Sequence, residues 1–175
     1  MALSKIDAVN FLTGTIPSGN VANATLNAVT ALPGAIATGK VLQVVQDTLT
    51  SVFNTTSTSY ADTGLTASIT PSSTSNKILI LLDMLTCSVS ANTNDGNGMK
   101  ILRDSSTIFE DTWFLYNYSS VSLQQNAGSY QYTDSPSSTS SLTYKVQVKC
   151  RTNSADINVN NGKATITLLE IAGWL

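Results

Sequence analysis

The sequence predicts an all-β protein, and three observations carry that prediction. Charged residues make up only 11% of the 175 residues, and Ser and Thr take much of their place; hydroxyl side chains favour strands and turns over long helices. Several segments alternate apolar and polar residues with a period of two, and none carries a helical period. Roughly eight such strands separated by turn residues are typical of an antiparallel jelly-roll-type β-sandwich.

The first strands follow one another from residue 41. "VLQVVQ" opens the β region, and "LTASIT" (65–70) follows after a polar span. The long run "KILILLDMLTCSVSA" (77–91) comes after a hydroxyl-rich turn, and its apolar residues point to both faces of a strand up to Leu82. "NTNDGNG" (92–98) reads as a loop or hairpin turn, since it lacks the spacing of a calcium-binding loop.

The second half of the chain contains the clearest strand. In "TYKVQVKCR" (143–151), Tyr, Val, Val and Cys share one face, while Lys, Gln, Lys and Arg share the other. "MKILRD" and "STIFED" precede this strand, and "ATITLLEIAGWL" (164–175) closes the chain with apolar residues on both faces.

A strand with two apolar faces needs cover on both of them. For 77–91 and 164–175, a covering loop, a neighbouring segment and a second subunit all remain possible, and oligomerisation is the simplest explanation. We therefore predict that a subunit interface contains Ile78, Ile80, Leu82, Leu168, Leu169 and Ile171.

Residues 1–39 differ from the rest of the chain. Apolar or small residues recur every five positions between stretches rich in Gly, Pro, Asn and Thr, a spacing that matches neither a helix nor a strand. Two interpretations stay open. The segment is either a loosely packed leader or an extended stalk whose apolar residues are buried only when several copies wind together.

Several function classes are disfavoured by composition. The chain contains no histidine, which removes the Ser-His-Asp triad, His-bearing zinc sites and the usual general base. The net charge of −2 gives no basic footprint for nucleic acid, and the longest apolar run is too short to span a membrane. We read no secretory signal, and expect no cofactor and no bound metal. Cys87 and Cys150 lie in apparent strands, and two buried thiols are favoured over a disulfide.

Two groups of side chains are candidates for a site. Asp104, Glu110 and Asp111 are the close acidic group, but Glu110 and Asp111 are adjacent in a strand and so point to opposite faces. A solvated surface is the favoured interpretation there. The aromatic group suits stacking on sugar rings, with the alternative that its rings fill the sandwich or a subunit seam; its members are Trp113, Tyr116, Tyr118, Tyr130 and Tyr132.

Four phrases in order resemble one family: "GKVLQVVQ", "DTGLTASITPSSTSNKILILL", "LTYKVQ" and "ATITLLEIAG". Across residues 39–173 the chain resembles the C-terminal head domains of bacteriophage fibre proteins, particularly those from phages of marine bacteria and cyanobacteria. The resemblance implies a sandwich similar to C1q and tumour-necrosis-factor domains that forms a homotrimer behind a stalk. The expected domains are therefore an N-terminal stalk or attachment arm (1–39) and a head (40–175).

The resemblance implies a structural virion protein rather than an enzyme. The expected function is a trimeric tail fibre, assembled in the bacterial cytoplasm, whose head binds glycan or protein on the host cell surface. The alternative is a capsid decoration or head-fibre protein held through its N-terminal arm. A polysaccharide-degrading enzyme and a secreted C1q-type ligand are both disfavoured. The residues expected to attach the arm to other virion proteins are Phe11, Ile16, Val21 and Leu26.

Overall fold

A computed structural model describes residues 40–90, 95–117, 123–151, 155–157 and 163–173. This part of the chain forms ten β-strands and no helix, arranged as two antiparallel sheets. The prediction of an all-β sandwich is confirmed. No helix in the described ranges is long and apolar enough to cross a membrane. The predicted arm, with Phe11, Ile16, Val21 and Leu26, lies outside these residues.

The strands in chain order are β1 (Val41–Leu49), β2 (Phe53–Thr55), β3 (Ala61–Ile69), β4 (Lys77–Ser90), β5 (Asp95–Arg103), β6 (Ser106–Asn117), β7 (Leu123–Asp134), β8 (Leu142–Cys150), β9 (Ala155–Ile157) and β10 (Ala164–Ile171). Sheet A has the order β1-β10-β4-β9-β2, with β7 also paired to β4. Sheet B has the order β3-β8-β5-β6. The predicted loop at 92–98 is wrong in part, because β5 already begins at Asp95.

The core lies between the two sheets and is built by strict alternation. In β8 the even-numbered residues are buried and the odd-numbered ones are partly exposed, as the sequence of 143–151 predicts. Strand β10 follows the same pattern. Burial of such side chains contributes about 1.5–3 kcal/mol each. The most completely buried apolar side chains include Ile69, Ile78, Ile80, Met84, Met99, Ile101, Tyr144, Val146, Ile166 and Leu168.

This core corrects four of the predicted interface residues. Ile78, Ile80, Leu82 and Leu168 are at most 2% exposed within a single chain, so they pack between the sheets and have no surface to offer a second subunit. Both faces of β4 and β10 are apolar, but one of them is simply the core face. Leu169 is half-buried on the outer face of sheet A.

Ile171, the last predicted interface residue, is also half-buried and lies on the outer face with Leu169. The two therefore stay candidates for a subunit contact. The outward residues that the sequence analysis passed over belong to the same face: Leu79 and Leu81 lie beside Leu169 and Thr167 in the β4–β10 pairing.

The hydroxyl-rich turn before β4 folds around one buried carboxylate. Glu170 is 1% exposed, and its Oε1 accepts hydrogen bonds from the Ser72 backbone N–H (2.6 Å), the Ser72 hydroxyl (2.7 Å) and the Asn76 amide (2.6 Å). Gln43 Nε2 donates to Oε2 at 3.4 Å. Burial by itself would raise the pKa of Glu170, but these hydrogen bonds outweigh it and hold the pKa below its usual value.

A second polar network joins the two sheets. Asp134 of β7 accepts two hydrogen bonds from Arg103 Nη1 of β5, at 2.9 and 2.7 Å, and one from the Tyr144 hydroxyl of β8, at 2.7 Å. Asp134 is 7% exposed. Burial raises the pKa of Tyr144, and the hydrogen bond to Asp134 raises it further. The network therefore fixes sheet A against sheet B through buried, mutually satisfied polar groups.

One of the two cysteines can be described in full. Cys150 is buried at the end of β8, and its Sγ lies 3.1 Å from the Ser57 carbonyl oxygen as a hydrogen-bond donor. Cys87 lies in β4 opposite Asn126 and Ile157, and the structure describes its backbone but not its side chain. The choice of two thiols over a disulfide therefore stays a prediction.

Candidate functional site

Aromatic and cationic side chains meet on the outer face of sheet B. They come from strands β5, β6 and β8, from the residue that follows β8 and from the segment before β3. We call this surface the aromatic–cationic face, and its residues are Tyr60, Lys100, Trp113, Tyr116, Lys149 and Arg151.

An irregularity in β6 brings Trp113 and Tyr116 together. Asn97 pairs with Leu115 and Met99 pairs with Asp111, so residues 112–114 oppose a single residue of β5. In a regular strand, residues three apart point to opposite faces, whereas a bulge re-aims side chains. The Trp113 and Tyr116 rings lie with centroids 5.1 Å apart at 85°, in an edge-to-face contact.

These rings remain open to solvent. Trp113 is 52% exposed and Tyr116 is 38% exposed, which is unusual for large apolar side chains. The Arg151 guanidinium lies 5.0 Å from the centroid of the Trp113 ring, within cation–π range. The three side chains line a shallow cavity of about 430 Å³.

Two glycines form the floor of an adjoining cavity of about 190 Å³. A Cβ added to Gly98 would lie 2.9 Å from the Tyr60 hydroxyl and 3.0 Å from Lys149 Cε, and one on Gly96 would lie 2.6 Å from the Leu115 carbonyl oxygen. Strand β5 therefore presents bare backbone here, and the side chains around it fill the space that a larger residue would need.

Tyr60 holds two ammonium groups over its ring. Lys100 Nζ and Lys149 Nζ lie 4.3 and 4.5 Å from the ring centroid, and the Tyr60 hydroxyl donates to Glu110 Oε1 at 2.8 Å. Burial raises the pKa of Tyr60, and the hydrogen bond and negative charge of Glu110 raise it further. The phenol is therefore neutral, and its ring can attract cations through its quadrupole.

Among the side chains that the structure describes, no carboxylate lies within ion-pair distance of the cations of this face. The ion pairs formed by those side chains are Arg103–Asp134 and Lys145–Asp62. Glu110 is the acid beside the face: it is the cross-strand neighbour of Lys100, and its carboxylate is held by Tyr60. The described side chains of the face thus comprise the cations of Lys100, Lys149 and Arg151 beside one carboxylate, on a chain whose net charge is −2.

The aromatic candidates predicted from sequence separate into two groups. Trp113 and Tyr116 lie together on the surface, and Tyr118 lies outside the described residues. Tyr130 and Tyr132 are placed wrongly by the sequence analysis, because they face the interior and pack on Phe109 with centroids 5.4 and 5.5 Å away. For these two, the alternative interpretation that the rings fill the sandwich is correct.

A bulky neighbour accounts for the position of Tyr130. Its ring lies 5.3 Å from that of Phe114, and Phe114 in turn packs so closely over Gly128 that a Cβ there would collide with the ring. The Tyr130 hydroxyl donates to the Asp111 carboxylate. This hydrogen bond, together with burial, raises the pKa of Tyr130 to about 12.

The acidic group does not form a common site. Glu110 binds Tyr60 on the outer side of β6, while Asp111 binds Tyr130 on the inner side. Asp104 sits in the β5–β6 turn with a φ of 54°, and its Oδ1 accepts the Thr143 backbone N–H at 3.0 Å. The prediction that Glu110 and Asp111 point to opposite faces is confirmed.

Sequence reasoning missed Tyr60, Lys149, Arg151 and the glycine floor. The alternation of apolar and polar residues in 143–151 does show that Lys149 and Arg151, which stand at polar positions, point away from the core. What the sequence does not carry is the pairing of β8 with β5 and of β5 with β6, which sets these residues beside Trp113.

Comparison with known proteins adds no relative: no protein-family model matches the chain, and no curated protein matches it significantly. The class of protein that the fold and the surface define is an antiparallel β-sandwich with an exposed aromatic–cationic face.

Proposed function

We propose that this chain is a bacteriophage fibre protein whose sandwich is a head domain that binds carbohydrate on the host cell surface. The observation that carries the binding role is the exposed Trp113–Tyr116 pair beside Arg151. The phage assignment is supported by the sequence resemblance across residues 39–173. No catalytic role is proposed, since the acids that could serve one are engaged separately by Tyr60 and Tyr130.

The exposed rings suit a sugar ligand in particular. A sugar ring presents one face of C–H groups, which stacks on the flat surface of Trp or Tyr, while its hydroxyls still meet water and polar side chains. The hydroxyls of Thr58 and Thr112 line the adjoining cavity and are suitable partners. The cavity beside Trp113 and Tyr116 is open and shallow, which suits one or two sugar units of a longer surface polysaccharide.

The second part of the proposal is a homotrimer of jelly-roll subunits. Its support is an apolar row across the outer face of sheet A, where Val44, Leu169 and Leu79 are cross-strand neighbours. Val44 is 59% exposed and Leu81, one row away, is 36% exposed. Covering this row with another copy would remove apolar surface from water and give each particle three equivalent sites that act with avidity.

A capsid decoration or head-fibre protein is the second candidate. The apolar row of sheet A supports a multimer equally in that role, with attachment to the capsid through residues 1–39. Copy number in purified virions separates the two: a few trimers per particle indicate a tail fibre, and tens to hundreds indicate the capsid.

The binding role is tested with Trp113→Ala in the full chain. Adsorption is measured on marine bacterial and cyanobacterial strains that the wild-type protein binds. We expect about a tenfold loss of affinity, because an aromatic anchor contributes at least about 1.4 kcal/mol. Thr139→Ala, an exposed position between β7 and β8, is the control. Equal adsorption by the Trp113 variant and the wild type would refute the binding role.

A further inference from the structure

We infer that the aromatic–cationic face selects an anionic saccharide, a sugar unit that carries a carboxylate, sulfate or phosphate group. This inference rests on the proposed carbohydrate-binding function and names the class of ligand. It depends on the three cations of the face and not on the aromatic pair alone.

The first step is the position of the cations relative to the rings. Arg151 lies against Trp113, so a sugar stacked on the exposed part of the indole would bring its substituents within reach of the guanidinium. That planar fork matches the two oxygens of a carboxylate and the oxygens of sulfate or phosphate. Lys149 lines the adjoining cavity together with Arg151, so a second cation flanks the same space.

The second step is the cost of holding these charges together. Lys100 Nζ and Lys149 Nζ lie 4.3 and 4.5 Å from the centroid of one Tyr60 ring, and among the described side chains neither forms an ion pair. Glu110, the cross-strand neighbour of Lys100, supplies one negative charge beside these two and Arg151. Two ammonium groups held at one ring repel each other. A bound anion would offset that repulsion, whereas a neutral sugar would leave it unchanged and would also have to displace water from the cations.

The third step is the contrast with the whole chain. With a net charge of −2, the protein has no general attraction for polyanions, so a local positive cluster stands out as a specific feature. Aromatic rings and cations also suit single-stranded nucleic acid, but that mode uses a basic groove along several nucleotides. Among the described residues, Trp113, Tyr116 and Arg151 line the cavity, and a single-stranded oligonucleotide is therefore tested as a competing ligand.

The experiment compares sugars that differ in charge alone. Binding of the full chain to oligogalacturonate and to its methyl ester is measured by calorimetry, with a sulfated and a phosphorylated oligosaccharide as further arms that distinguish the anionic groups. We expect at least one charged probe to bind at least tenfold more tightly than its uncharged counterpart. The affinity should fall several-fold when the salt concentration rises from 0.05 to about 0.5 M.

Two variants assign the effect to the cations. Arg151→Gln and Lys149→Gln should each weaken binding of the charged probe about five- to tenfold, while Lys77→Gln on the outer face of sheet A should not change it. Each variant is checked for an unchanged unfolding midpoint. Trp113→Ala should weaken charged and uncharged probes alike.

Three results would overturn the inference: every charged probe binding no more tightly than its uncharged counterpart, no charged probe bound at millimolar concentration, or tighter binding of a single-stranded oligonucleotide. If uncharged sugars bind well and depend on Trp113, the anionic selectivity fails while the carbohydrate function stands. If Trp113→Ala also leaves cell adsorption unchanged, the proposed function itself fails.

Discussion

The outer faces of the two sheets differ sharply although the same alternation builds both. On sheet A the outward residues include Val44, Leu79 and Leu169, an apolar row without charge. On sheet B the outward residues include Lys100, Lys149 and Arg151 beside exposed rings. Because the inward-facing residues of both sheets are mostly apolar, the two sheets differ in their outward-facing residues. This difference is the basis for the proposed contact with a second copy on sheet A and the proposed saccharide site on sheet B.

The contrast holds only while the sheets stay joined, and removal of Asp134 should have the largest effect. Asp134→Ala leaves Arg103 and Tyr144 without their buried acceptor. We expect a loss of about 3 kcal/mol in the free energy of unfolding, measured by urea denaturation. Thr139→Ala, at an exposed position between β7 and β8, should cost less than about 0.5 kcal/mol. Equal costs for the two variants would contradict a structural role for the network.

The sheet A face is probed by Leu81→Lys. A lysine within an apolar subunit contact loses its hydration, so we expect this variant to prevent the proposed trimer from forming at micromolar concentration. Light scattering coupled to gel filtration should then give one third of the wild-type mass. The matched control is Ser68→Lys, on the exposed face of sheet B. If the wild-type protein is itself a monodisperse monomer, the proposal that the outer face of sheet A contacts a second copy is wrong.

Acid should destabilise the folded protein by protonating Glu170, the buried carboxylate at the end of β10. Since the pKa of Glu170 is lowered in the folded protein, its contribution to stability is complete above the pKa of the unfolded chain and is lost as pH falls through the folded value. Unfolding midpoints between about pH 6 and pH 3 should therefore drop more in the wild type than in Glu170→Gln. At pH 6 we expect Glu170→Gln to cost about 1–2 kcal/mol. If the unfolding midpoints of the wild type and Glu170→Gln change with pH in the same way, the Glu170 carboxylate does not stabilise the folded protein.

The smallest expected effect concerns Tyr130, which the sequence analysis grouped with the surface rings. Its raised pKa, about 12, means that its contribution to stability is present below about pH 10 and lost as pH rises through the folded value. Tyr130→Phe should remove one phenol from the alkaline absorbance titration and cost about 1 kcal/mol at neutral pH. A tyrosine titration with the ordinary midpoint would place Tyr130 back on the surface.

Period-two patterns predict the strands and the sandwich well, because burial on one face leaves a local trace. Strand 143–151 is the clearest example, because its buried even-numbered residues are the ones that the sequence predicts to be buried. The same patterns cannot say which of two apolar faces is the core face. The patterns therefore predict an interface position for Ile78 and Ile80, and this prediction is wrong because both side chains are fully buried within one chain.

The candidate site was only half predictable for a different reason. The exposure of Trp113 depends on the irregular pairing of β6 with β5, and the neighbouring cations come from β8 through long-range pairing. Neither leaves a local sequence signal. Tyr130 and Tyr132 carry the same periodicity as a surface patch, and only their position opposite Leu82 and Ile80 in sheet A turns them inward.

The irregular pairing of β6 has one more consequence. Residues 112–114 stand opposite a single residue of β5, so the hydrogen-bonded ladder does not dictate the length of this segment. The three residues are not equivalent, because Phe114 packs inward on Tyr130, whereas Thr112 and Trp113 are exposed. Substitutions at 112 and 113 should therefore change the ligand surface while the hydrophobic interior stays as it is.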